Sequence, residues 1–112
     1  MTIFITSKID ILPDKRRELL QTAVDVVKAA QNEKGCVSTG IYQDIANRNS
    51  LCIIWAWKTL DDHNRYMTTS HFKALKWAIR DMTRAEVIWF GQETDHENVF
   101  EDTIGYNKLL ED

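Results

Sequence analysis

Ser7, Trp57, Tyr66 and His71 are the side chains of this sequence whose types could serve a ligand or catalytic site. His71 carries an imidazole, which unperturbed titrates near pH ~6.5 and can accept a proton at neutral pH. At a helix start it could equally bond to backbone. Tyr66, five residues earlier, can pack its ring and leave its hydroxyl free to donate. Trp57 reads either as a core or interface aromatic or as the wall of a pocket for a flat ring. Ser7 is a lone hydroxyl on an isoleucine-rich face. It could bond locally, or be the polar spot of an otherwise apolar cavity, as ligand sites require. His63 lies amid Asp61, Asp62, Asn64 and Arg65 and reads as solvent-exposed; His96 falls among acids and reads as idle. Asp10, Lys15, Arg16 and Arg17 read as solvated charges. Cys36 and Cys52 each fall inside a predicted strand as small buried hydrophobes. The histidines and cysteines lack ligand spacing, so no metal site is expected. No glycine-rich phosphate loop is present.

The elements that must position these residues follow from periodicity. Ile3, Ile5, Ile9 and Ile11 alternate with Phe4, Thr6, Lys8 and Asp10, which predicts a strand. Pro13 and Asp14 break it, with Asp14 expected as N-cap of a helix from Lys15 to Asn32. Leu20, Ala23, Val24, Val27 and Ala30, widened by Leu19 and Val26, form its apolar stripe. Gly35 is expected as a left-handed stop. Strands follow at Cys36 to Gln43 and Leu51 to Trp57, joined by a polar loop. Thr59 is expected to cap a short helix over Asp61 to Met67. A second helical segment runs from Ser70 to Met82, with Phe72, Leu75, Ile79 and Met82 on one stripe. A last strand spans Ala85 to Phe90 and closes at Gly91. The order βαββαβ, with the second helix split in two, predicts an α+β, ferredoxin-like fold with a four-stranded antiparallel sheet.

One domain accounts for the 112 residues, and 44% apolar with 28% charged residues is ordinary globular composition. A net charge of −3 argues against a nucleic-acid surface. No apolar stretch is long enough to span a membrane, and the alternating N-terminus is unlike a signal peptide, so a cytoplasmic protein is expected. Residues 92–112 hold seven acids against one lysine, leaving +3 on residues 1–91. This segment reads as a solvated acidic tail or, given Val99, Phe100, Ile104, Tyr106, Leu109 and Leu110, as an arm packing on the body or on a partner. The third strand is apolar on both faces: Leu51, Ile53, Trp55 and Trp57 against Cys52, Ile54 and Ala56. The last strand repeats this with Val87 and Trp89 against Ile88 and Phe90. Helices can cover one face only, so a homodimer through the other sheet face is expected.

Leu12-Pro13-Asp14-Lys15 after an isoleucine-rich strand, Glu33-Lys34-Gly35-Cys36 entering the next, Trp55-Ala56-Trp57-Lys58, and Ser70-His71-Phe72 together resemble the antibiotic-biosynthesis-monooxygenase (ABM) domain over residues 2–91. The resemblance implies a dimeric α+β barrel. Some members of that family oxidise quinols and polyphenols without a cofactor, one branch degrades haem, and others have no settled role. Many members carry a histidine where Tyr66 falls. The haem-degrading branch uses an Asn, a Trp and a His where Ser7, Tyr66 and Lys76 stand here, so no haem turnover is expected. The resulting expectation is a monooxygenase needing no cofactor and acting on a small quinol or polyphenol. His71 and Tyr66 are its catalytic residues, and Ser7 and Trp57 bind substrate. The alternative is a non-catalytic dimeric module for a small aromatic or apolar ligand.

Overall fold

A computed structural model describes residues 2–92. The expectation of a packed or solvated C-terminal arm lies outside the described residues. The chain runs β1 (Ile3–Ile11), a short 3-10 turn (Pro13–Lys15), α1 (Arg16–Ala30), β2 (Cys36–Gln43), β3 (Ser50–Trp57), α2 (Leu60–Met67), α3 (Ser70–Met82) and β4 (Thr83–Gln92). The sheet is antiparallel throughout, in the order β2-β3-β1-β4. β3, apolar on both faces, is therefore central, as expected for a strand covered on both sides, whereas β4, also apolar on both faces, lies at the edge. This is the α+β, ferredoxin-like βαββαβ fold, its second helix split at Thr68 and Thr69.

Register decides which residues share the helix-facing side. Ser7 pairs with Ile53 on one flank and Ile88 on the other, and Ile5 with Trp55 and Phe90. Directly paired residues point to the same side. Ile3, Ile5, Ser7 and Ile9 thus line up with Leu51, Ile53, Trp55 and Trp57, and all eight are buried. From above, α1 packs Leu19, Ala23, Val26, Val27 and Ala30 onto this face, and α3 packs Leu75, Ala78 and Ile79. Leu20 and Val24, expected in the stripe of α1, are only half-buried and flank it.

Two boundaries differ from expectation. Asp14 makes no capping bond; it lies within the 3-10 turn, and α1 starts at Arg16. The last strand is longer than its apolar run, because β1 offers backbone partners along its full length, from Thr83 opposite Ile11 to Gln92 opposite Ile3. Gly35 does adopt the left-handed conformation, with φ of 83°. A Cβ there would also collide with the Asp62 side chain, so the entry to β2 is fitted against α2.

The helices do not reach over β4. Its helix-side residues Ile88 and Phe90 are 60% and 56% exposed. On the opposite sheet face, Phe4, Tyr42 and Val87 are exposed and Ile54 and Trp89 half-buried.

Candidate functional site

The uncovered side of β4 opens onto a cavity of about 310 Å3 between the sheet and the two short helices. That is the small end of the range for ligand pockets, roughly 300–1,000 Å3. Hydrogen bonds at the two helix starts fix its roof. The Thr59 hydroxyl accepts from the Asp62 backbone N–H at 3.1 Å and donates to the Asp62 carboxylate at 2.8 Å. This bond, chiefly, holds the Asp62 carboxyl below the usual carboxylate range against the cost of desolvation, with Arg65 at 3.0 Å adding to it. Anchored there, α2 turns His63, Tyr66 and Met67 toward the cavity, at the i, i+3, i+4 spacing of one helix face. At the bend, the Thr69 hydroxyl accepts from the Phe72 N–H at 3.2 Å and donates to the Tyr66 carbonyl at 2.7 Å. The rings of Tyr66 and Phe72 are thereby set edge to face, with centroids 5.6 Å apart.

Aromatic rings form the inner wall. Trp57 lies under Tyr66 at 4.9 Å with a 33° tilt, and Trp55 meets Phe72 edge-on at 6.5 Å. The indole N–H groups of Trp55 and Trp57 and the hydroxyl of Tyr66 are all buried without a hydrogen-bond partner. A buried polar group left without a partner costs about 1–3 kcal/mol. Burial, above all, pushes the Tyr66 hydroxyl up to about 12, with Glu33 and Cys36 adding to the effect. Trp55 opposes it more than either of these adds, although its N–H does not reach hydrogen-bonding geometry. Tyr66 therefore stays protonated at neutral pH and keeps a hydroxyl proton available.

Polar groups border the cavity as well. Ser7, 3% exposed, donates to the Glu86 carboxylate at 2.7 Å. Lys76 also borders the cavity. His63 is half-buried, edge-on to Phe90 at 6.4 Å. Burial holds its imidazole below its usual 6.5, against a smaller lift from Asn64. The Asn64 side-chain oxygen lies 3.4 Å from Nδ1. A proton on Nδ1 satisfies that contact and leaves Nε2 free to accept.

Ser7, Trp57 and Tyr66 are thus brought together as expected, and His71 is not. It is exposed and outside the lining of the cavity. On a 3.6-residue helix, Phe72, Leu75, Lys76 and Ile79 share the flank that faces the cavity, and His71 lies roughly a quarter turn away in the first turn. The histidine at the site is His63, which its charged neighbours made look solvated. Its spacing of three from Tyr66 was the usable signal. Glu86 was also missed, since no local pattern links it to Ser7. Lys76 borders the cavity with Ser7 and Tyr66. No group of three or more His, Cys, Asp or Glu among the described residues could hold a metal ion.

The unpartnered Tyr66 hydroxyl makes a prediction about stability. Tyr66→Phe should raise the stability of the ligand-free protein by about 1–3 kcal/mol while weakening ligand binding. Thermal melts of both proteins check it; a lower melting temperature for the variant would show that the hydroxyl is satisfied.

The sequence pattern of the antibiotic biosynthesis monooxygenase family matches residues 2–76. An uncharacterized protein of Synechocystis sp. is 27% identical over 71 residues, covering 63% of this chain and 45% of its own length. The chain thus spans less than half of that curated relative. A conserved Methanosarcina mazei protein superposes with a TM-score of 0.79 at 20% identity, covering 84% of this chain and 94% of its own. A Mycobacterium tuberculosis protein does so with a TM-score of 0.79 at 13% identity, covering 86% and 98%. These two likenesses establish the fold. No helix among the described residues is long and apolar enough to cross a membrane.

Proposed function

We propose, from the premise that this chain belongs to the antibiotic biosynthesis monooxygenase family, that it oxidises a small quinol or polyphenol with O2 and without a cofactor. The observation that carries this reading is the aromatic-walled cavity, where buried unpartnered donors at the inner wall meet a neutral imidazole at the rim. A flat ring lies against the aromatic lining of the cavity with one oxygen toward Tyr66. His63 accepts the proton of the phenol, and the Tyr66 hydroxyl donates to a substrate oxygen. The electron-rich phenolate then reduces O2 directly. For a hydroquinone, a ring C–H bond gives way to a C–O bond, the O–O bond breaks, and the second oxygen leaves as water. The product is the hydroxyquinone, and the ring supplies all the electrons. The apolar lining limits water around the intermediates.

Oxygen uptake with hydroquinones and dihydroxynaphthalenes tests this. The expected product gains one oxygen and loses two hydrogens, with one O2 consumed per product. Binding without uptake would instead identify a non-catalytic aromatic-binding module.

The assembly belongs to the same proposal. Exposed Phe4, Tyr42 and Val87 on the sheet face away from the helices support a homodimer closed through that face. Light scattering at micromolar concentration should give twice the chain mass of 13.1 kDa. A single-chain mass would overturn it.

A further inference from the structure

The bond between Ser7 and Glu86 joins residues 79 positions apart and sets a carboxylate on a face otherwise built from isoleucine and aromatic side chains. An edge-strand glutamate could turn to water at little cost. Here the residue remains exposed, but its carboxylate is tied at 2.7 Å to a hydroxyl that is itself only 3% exposed. Ser7 spends its one proton on Oε2, and Oε1 makes no hydrogen bond among the described residues. The corner therefore offers acceptor capacity only, whereas the Trp55, Trp57 and Tyr66 groups of the inner wall offer donors.

We propose that the Ser7–Glu86 pair selects the ligand: the cavity accepts a flat aromatic that presents a hydroxyl donor at this corner and rejects the same ring presenting a carboxylate there. The inference rests on the reading of the cavity as the site of a hydroxylated aromatic, and names the member of that class it takes. A ligand hydroxyl donates to Glu86 while an oxygen at its far end accepts from the inner wall. A carboxylate at the corner meets like charge and no donor, since the Ser7 proton is already engaged. Lys76 also borders the cavity; like Glu86 it is exposed, but it has no comparable tether to a buried group among the described residues. Glu86, tethered to a buried hydroxyl, decides the outcome.

Titration calorimetry on the full chain tests this with two probes: a dihydroxynaphthalene, and the hydroxynaphthoic acid that carries a carboxylate in place of one hydroxyl. The wild type should bind the diol at least about tenfold more tightly, the worth of a hydrogen bond to a charged acceptor. Glu86→Gln should lose most of that preference, because an amide both donates and accepts. Ser7→Ala should weaken the preference by freeing Glu86 to turn outward. Equal affinities in the wild type, no binding of either probe at millimolar concentration, or an unchanged preference in Glu86→Gln would each overturn the proposal. A wild-type preference for the acid would overturn it too, and move recognition to Lys76. Oxygen uptake fails separately: selectivity without uptake sinks only the monooxygenase reading, and uptake without selectivity sinks only this one.

Discussion

Replacing His63 with alanine should lower the oxidation rate of any accepted quinol by about 100- to 10,000-fold, the usual contribution of a general base. The sign of the pH dependence follows from its surroundings. Only the neutral imidazole accepts a proton, and burial, more than Asn64 can offset, holds its titration below 6.5. The wild-type rate should therefore be flat through neutral pH and fall as the pH drops below that value and His63 becomes protonated. His63→Ala should lose this acid limb along with the rate. His71→Ala should stay within about threefold of wild type, a range too small for a general base, since His71 stands in solvent outside the cavity. His63 is only half-buried and is not part of the cap that anchors α2, so the variant should melt like the wild type. Retention of the rate and of the acid limb in His63→Ala would show that the substrate ionises without it.

The second large effect is on the fold. Trp57 is 0% exposed and lies between β3 and the ring of Tyr66. Truncating such a side chain costs about 3–5 kcal/mol, because the surroundings cannot fill the space. The indole N–H is unpartnered, so its loss recovers part of that cost and favours the lower end. Even about 3 kcal/mol is a large share of the ~5–15 kcal/mol that holds a typical domain together. Trp57→Ala should thus melt at least about 12 °C below the wild type, at roughly 4–8 °C per kcal/mol for a domain of this size. Trp57→Phe keeps a ring against Tyr66 and should recover most of the difference. A loss under about 1 kcal/mol in Trp57→Ala would mean that the ring fills ligand space rather than core.

Much of this molecule was readable before its structure. The alternation from Ile3 to Ile11 and the stripe Phe72, Leu75, Ile79, Met82 predicted β1 and α3, and the latter matched at both ends. Such patterns are local: the period alone sets which side chains share a face. The Thr59 cap was legible because it acts three residues away. Asp14 misled because a 3-10 turn absorbed it before α1 began. Ile88 and Phe90 were read as covered, yet both are exposed, because β4 is an edge strand and the helices stop short of it.

The sequence by itself determined the elements, their order, the Gly35 turn and the family, all carried by short-range spacing and residue type. The tertiary structure alone decided which polar groups meet. Ser7 reaches Glu86 only through the register of β1 against β4, and one residue of slip would turn one of them to the other face. His63 rather than His71 faces the cavity because the bend at Thr68 and Thr69 sets the rotation of each short helix separately. That rotation depends on how Tyr66 and Phe72 pack against the tryptophans of β3, contacts made by residues distant in the chain that no local pattern encodes.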